Sequence, residues 1–131
     1  MTKKNKNLNH ILLVDDDSLY VRVVTQYLDE ADYHYEIARD GAQAWNYLQA
    51  YPNKFFVVLA DRIMPKLHGL ALLAKMQESA FNDIPLILST GESSKEERCE
   101  ALRQGVYDFL YKPLSKDLLL AILKKVKKLS K

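Results

Sequence analysis

Five times along the chain a short apolar run is followed by a longer stretch of helical period, and this alternation restricts the fold more than any other feature. The runs occupy residues 11–14, 34–38, 55–60, 85–89 and 107–111. The first, third and fourth are almost continuously apolar, as strands buried on both faces are. The second and fifth alternate polar and apolar residues, as strands at a sheet edge do. Between them, Val21, Val24, Leu28 and Ala31 recur three or four residues apart and form one helical stripe. Ala44, Trp45 and Leu48 mark a second helix, and Leu72, Leu73 and Met76 a third. A fourth, from Ser93 to Gln104, is thin in apolar residues, with Cys99, Ala101 and Leu102 its expected buried positions, and Gly105 is placed to stop it. Leu118, Ile122, Val126 and Leu129 are the expected stripe of the last. Strand-then-helix repeats need crossover connections, which produce a parallel sheet covered by helices on both faces. With strands two and five at the edges, the expected architecture is an α/β doubly wound sheet of order 2-1-3-4-5 with five helices.

At 131 residues, with 48% hydrophobic and 27% charged side chains, the chain has the balance of one globular domain. The longest apolar runs, 55–60 and 118–123, fall far short of the roughly 20 residues a membrane helix requires. The basic start lacks the apolar stretch of a secretory signal, so the expectation is a cytoplasmic protein without membrane attachment. A single cysteine, Cys99, excludes an internal disulfide and a multi-cysteine zinc site. The net charge of +2 is too small to imply a nucleic-acid partner, but its distribution is uneven. Residues 1–6 and 115–131 carry nine lysines against Asp117, whereas the rest carries ten basic and sixteen acidic side chains. An acidic body with basic ends suggests a cation site in the middle. The division expected is a basic arm over residues 1–8 and one domain over 9–131.

In open parallel sheets, ligands bind beyond the carboxyl ends of the strands, where the winding reverses. Here that point lies between the first and third strands. The residues ending the strands are Asp15, Asp16 and Asp17 after the first, Asp61 after the third, Thr90 after the fourth and Lys112 after the fifth. Unit charges about 4 Å apart repel by roughly 4 kcal/mol at an effective dielectric near 20, so Asp15, Asp16 and Asp61 together call for a counter-cation. Lys112 supplies one positive charge. Oxygen-only ligands favour a hard divalent cation, and a shallow site with few carboxylates suits Mg²⁺, which keeps waters and accepts a phosphate oxygen. Each residue also has an ordinary structural alternative. Asp16 or Asp17 is suited to cap the first helix, Asp61 to open a turn, Thr90 to precede a helix, and Lys112 to sit in solvent.

The segments ILLVDDD, VVLADRIMPKLHG, PLILSTG and DFLYKP, in that order and spacing, resemble the receiver domain of two-component response regulators from about Asn9 to Leu129. The resemblance implies a flavodoxin-like fold and a single-domain architecture similar to the chemotaxis receivers. It implies that Asp61 is the phosphoacceptor, a carboxylate nucleophile forming an acyl phosphate. It further implies Mg²⁺ held by Asp16, Asp61 and the backbone carbonyl of Ile63, with Asp15 acting mainly through water. Thr90 and Lys112 would bind phosphoryl oxygens, the Lys112–Pro113 peptide bond would be cis, and Thr90 with Phe109 would form the switch. Phe109 has the alternative of a plain core aromatic. The surface of the fourth helix, fifth strand and fifth helix would be the readout.

By the same resemblance the phosphodonor is a sensor histidine kinase or phosphotransfer protein. The output is a protein effector or an output domain, with a phosphorylation-dependent homodimer as a further option. The chemistry expected is self-phosphorylation and autodephosphorylation, not turnover of an external substrate. His68 stands where the family usually has an aspartate before the glycine, on a loop where function should survive the change. Ile63 and Glu92 occupy positions that tune phosphoryl lifetime, and an apolar Ile63 offers nothing to position a hydrolytic water, so a lifetime of minutes or longer is expected. Two rivals come from other classes. One is a contact module that works without phosphorylation. The other is a haloacid dehalogenase-like phosphatase using Asp15 and Asp17, which leaves the surroundings of Asp61 unexplained. The lysines of the last helix are read first as a solvated face complementing its dipole.

Overall fold

The computed structural model describes residues 10–62 and 68–129; the basic stretch 1–8 lies outside them. The elements in chain order are β1 (His10–Val14), α1 (Ser18–Glu30), β2 (His34–Ala38), α2 (Gly41–Ala50), β3 (Val57–Asp61), α3 (Gly69–Gln77), β4 (Leu86–Thr90), α4 (Lys95–Gln104), β5 (Asp108–Tyr111) and α5 (Lys116–Leu129). All four strand pairings are parallel and the sheet order is β2-β1-β3-β4-β5. The three interior strands are those whose sequences are apolar on both faces, since each must bury both rows of side chains.

Strand alternation sends the two rows to different layers. Ile11, Leu13, Val57, Leu59, Ile87 and Leu110 pack with Val21, Val24 and Leu28 of α1 and Leu119, Leu123 and Val126 of α5. Leu12, Val14, Val58, Ala60, Leu86 and Leu88 pack instead with α2, α3 and Ala101 of α4. Burying one such leucine is worth about 1.5–3 kcal/mol, so both layers bind their helices firmly except where the stripe is thin. That place is α4, whose buried residue is Ala101; Cys99 and Leu102, expected to be buried, are exposed. The helix is defined chiefly at its ends. A capping box pairs Ser94 with Glu97, and Gly105 closes the helix at φ 111°, a conformation that a side chain disfavours.

In the stripe of α5, Ile122 and Val126 are buried as expected, and the other two positions are corrected. Leu118 and Leu129 are 64% and 59% exposed, and the buried positions are Leu119, Ile122, Leu123 and Val126. A face centred on Leu118 carries Lys125 seven residues on, whereas the observed face has no charge. Ile122 and Val126 belong to both faces, so the buried face is displaced by roughly half a residue's turn (about 50°), away from Lys125. In α1, Ala31 lies at the C-cap, beyond the buried stripe, and Tyr20 joins that stripe at its start.

Candidate functional site

The carboxyl ends of β1, β3 and β5 converge because the three strands stop at the same level. In register, Val14 lies beside Ala60, Asp61 beside Ser89, and Thr90 beside Tyr111. Asp15 follows β1 directly, and its amide donates to Ala38 O at 3.0 Å, so the backbone is held to the point where the side chain leaves it. Its side chain is buried. Asp15 Oδ1 accepts from the Asp17 amide at 2.9 Å, while Oδ2 is buried without a hydrogen bond. Asp15, Asp16 and Asp61 each offer a carboxylate oxygen, and these oxygens lie within 4.8 Å of one another. Lys112 Nζ stands 3.5 Å from Asp15 Oδ2 and 3.6 Å from Asp61 Oδ1. Burial pushes the Asp15 carboxyl above its ordinary range, and the Asp61 charge adds to this. The Asp17 amide and Lys112 oppose it.

The three consecutive aspartates thus divide their work. Asp17 is the N-cap of α1, accepting from the amides of Leu19 and Tyr20 at 3.0 and 3.3 Å. Asp15 and Asp16 are left to face Asp61. A phosphatase mechanism drawing on Asp15 and Asp17 is poorly served, because the Asp17 carboxylate is turned into the helix backbone. Thr90 is buried at the end of β4, where its hydroxyl donates to Glu92 O at 3.2 Å and its carbonyl accepts from the Lys112 amide at 3.0 Å. The Lys112–Pro113 peptide bond is cis. Ile63 lies outside the described residues.

Phe109 is half-buried, packed against the α2–α4 layer, and stacks on Tyr111 with ring centroids 6.3 Å apart. It borders a cavity of about 300 Å³ together with Arg62, Leu70, Leu88 and Ala101. His68 caps α3, since its Nδ1 accepts from the Ala71 amide at the start of that helix. Next to it Gly69 lies so close to β3 that a Cβ would meet Asp61 O at 2.7 Å and Leu88 Cδ1 at 2.6 Å. A glycine here lets α3 begin directly against the strand end carrying Asp61.

Two participants were not singled out from sequence. Arg62 reaches α4, with Nη1 3.3 Å from Glu97 Oε2 and Nη2 donating to Glu92 O at 3.0 Å. Tyr20 lies beneath Lys112, whose Nζ is 4.3 Å from the ring centroid, and its hydroxyl donates to Ser89 Oγ at 3.1 Å. Burial pushes the Tyr20 hydroxyl up to about 12, so it stays a neutral phenol. The sequence hint for Tyr20 is its place one turn into the first helix. For Arg62 it is adjacency to Asp61.

Three carboxylates and one ammonium leave the cluster negative. The donors are all oxygen, Asp15 Oδ2 is a buried acceptor that has the Lys112 ammonium at 3.5 Å but no hydrogen bond, and among the described residues no imidazole or thiol joins the group. This donor set fits a hard divalent cation, not a soft one.

An α/β sheet with an acidic switch point describes a class of phosphate- and metal-handling proteins. The comparisons narrow it. The family model of the response regulator receiver domain matches residues 11–124. Chemotaxis protein CheY1 of Helicobacter pylori is 34% identical over 111 residues, covering 83% of this chain and 89% of that protein. The two-component response regulator-like protein PRR37 of Oryza sativa is also 34% identical over 108 residues, but the chain spans 15% of its length. Among solved structures, the receiver domain of a Francisella response regulator superimposes with a TM-score of 0.81 at 30% identity, covering 94% of this chain and 99% of that one. The chain belongs to the receiver domain family of two-component response regulators. No described helix is long and apolar enough to cross a membrane.

Proposed function

We propose that this receiver domain works by accepting a phosphoryl group on Asp61 in a Mg²⁺-dependent reaction. The observation that carries the proposal is the convergence of Asp15, Asp16 and Asp61 with Lys112 at one strand edge. An Asp61 carboxylate oxygen attacks phosphorus in line. The new O–P bond forms as the N–P bond of a phosphohistidine breaks, and the leaving imidazole nitrogen takes up a proton. With acetyl phosphate the P–O bond to acetyl breaks instead and acetate leaves. Asp15, Asp16 and Asp61, with the carbonyl of Ile63 by family resemblance, would hold the Mg²⁺. When bound, that ion supplies charge neutralisation for the incoming phosphoryl oxygens. Lys112 neutralises another oxygen, and the Thr90 hydroxyl gives up its bond to Glu92 O to donate to a third. Placement and charge balance provide most of the acceleration, as in phosphoryl transfer generally.

The donor is a histidine kinase or phosphotransfer protein. The consequence is a change in the face of α4, β5 and α5, felt through Thr90 and Phe109, by a protein effector, an output domain or a second copy. A local charge event biasing a two-state element is the physical basis. α4 is suited to move because so little of it is buried. The protein is not a turnover enzyme on this reading, since its only chemistry is on its own aspartate, and its location is cytoplasmic.

The test is intact-mass measurement after incubation with Mg²⁺ and acetyl phosphate, alongside Asp61→Asn. One phosphoryl group, absent from the variant and absent with EDTA, is expected. No adduct together with no Mg²⁺ binding would favour the phosphorylation-independent contact module. An adduct on Asp61→Asn would overturn the nucleophile.

A further inference from the structure

We infer that Tyr20 is a positioning residue for phosphoryl transfer: its ring face is the platform that holds the Lys112 ammonium over Asp61. The inference rests on the phosphoacceptor role of Asp61 proposed above.

Lys112 needs such a support. Its Nζ lies 3.5 and 3.6 Å from the carboxylates of Asp15 and Asp61, within ion-pair range but without a short hydrogen bond, and its side chain is about a quarter exposed. Those two carboxylates are also the groups that the reaction itself engages. Asp61 becomes an acyl phosphate, and Asp15 is committed to the metal. An anchor made only of them would shift as the reaction proceeds. The Tyr20 ring is different. It lies 4.3 Å from Nζ, and the attraction of an aromatic face for a cation does not depend on the state of the acids.

The ring is in turn fixed from three sides. Its hydroxyl donates to Ser89 Oγ at 3.1 Å in a buried bond, and Ser89 is the register partner of Asp61 across the β3–β4 ladder. Its amide donates to the N-capping carboxylate of Asp17 at 3.3 Å. Its body is buried in the core layer that the α1 stripe shares with α5. Ring, serine and phosphoacceptor therefore move as one unit, and the ammonium is referenced to the strand that carries the nucleophile. As the phosphoryl group arrives, Lys112 has only to pivot on the ring to meet the new oxygen, which lowers the reorganisation required.

Because a merely structural aromatic would show the same burial, the test varies the ring's electrostatics at nearly constant shape. Phenylalanine, 4-fluoro-, 3,5-difluoro- and 3,4,5-trifluorophenylalanine are placed at position 20, and phosphorylation by acetyl phosphate with Mg²⁺ is followed by intact mass. Tyr20→Phe keeps the ring and should retain at least half of the wild-type saturating rate. Successive fluorines should lower that rate in steps, about threefold to tenfold across the series, with little change in the half-saturating acetyl phosphate concentration. Tyr20→Leu should fall at or below the trifluoro variant. A flat series in a wild-type background that is labelled on Asp61 overturns the role of Tyr20 and leaves the phosphoacceptor standing. A wild-type protein that takes no phosphoryl group overturns both.

Discussion

Asp15→Asn separates the cost of the acidic site from its use. In the native chain the buried Asp15 carboxylate lies within 4.8 Å of oxygens on Asp16 and Asp61 and 3.5 Å from Lys112 Nζ. At an effective dielectric near 20, repulsion from Asp61 at that distance is about 3.5 kcal/mol, and attraction to Lys112 about 4.7 kcal/mol. Asp16 faces water, which screens its repulsion to about 1 kcal/mol. The charge terms therefore nearly cancel, and burial decides the sign. Oδ2 has been taken out of water without a hydrogen bond, a loss of about 1–3 kcal/mol for such a group. The asparagine keeps the acceptor for the Asp17 amide and carries no charge. We expect it to stabilise the metal-free protein by about 1–2 kcal/mol, a rise in Tm of roughly 3–8 °C for a domain of this size. Melts in EDTA and in excess Mg²⁺ are the assay. The wild type should gain Tm from Mg²⁺ and the variant little or none. The difference in EDTA should narrow as the pH falls, because the folded Asp15 carboxyl, raised above 3.8, takes up a proton before the unfolded chain does. A variant less stable than wild type in EDTA, or one with an equal Mg²⁺ response, would refute the reasoning.

The remaining predictions concern the frame around the site. Gly69→Ala sets a Cβ against the Asp61 carbonyl and Leu88, and should cost about 1–3 kcal/mol in denaturant melts while slowing Asp61 phosphorylation. Leu119→Ala should cost about 2–5 kcal/mol, whereas Leu118→Ala, at a 64% exposed position, should stay within about 0.5 kcal/mol; the reverse ranking would mean that the α5 face is wrong. Burial, then Lys54 and His34, hold the His10 imidazole below its ordinary 6.5. The unfolded chain therefore binds this proton first, and stability should decline as the pH falls through 6.5. His10→Phe should flatten that slope in melts between pH 7.5 and 5, on the order of the transition width of one imidazole.

Much of the molecule was legible before any tertiary structure. The edge strands followed from which apolar runs were continuous and which alternated, because burial on one face or two is written into the pattern itself, and the order 2-1-3-4-5 followed from the doubly wound arrangement those edges match. Asp15, Asp16, Asp61, Thr90 and Lys112 could be placed at one edge because each lies at or just past the end of its apolar run, and parallel strands end on the same side. The division among the aspartates was less visible. Asp16 and Asp17 were equal candidates for the cap, and only the path of the chain into α1 gave that duty to Asp17.

What tertiary structure alone decided are the relations between residues distant in sequence and the rotation of helices about their own axes. The six residues Leu118–Leu123 are apolar on every side, so their own pattern cannot choose a face; packing buries Leu119 and Leu123 beside Ile122 and Val126 and leaves Leu118 exposed. Arg62 and Glu97 belong to different elements and meet only because α4 starts beside the end of β3. Tyr20 reads as an ordinary core aromatic in α1 until packing sets its hydroxyl on Ser89 and its face beneath Lys112. Hydrophobic periodicity is local and survives in the sequence as a pattern. The contact of a ring with a cation 92 positions away has no such local record, and it exists only once both layers have closed on the sheet.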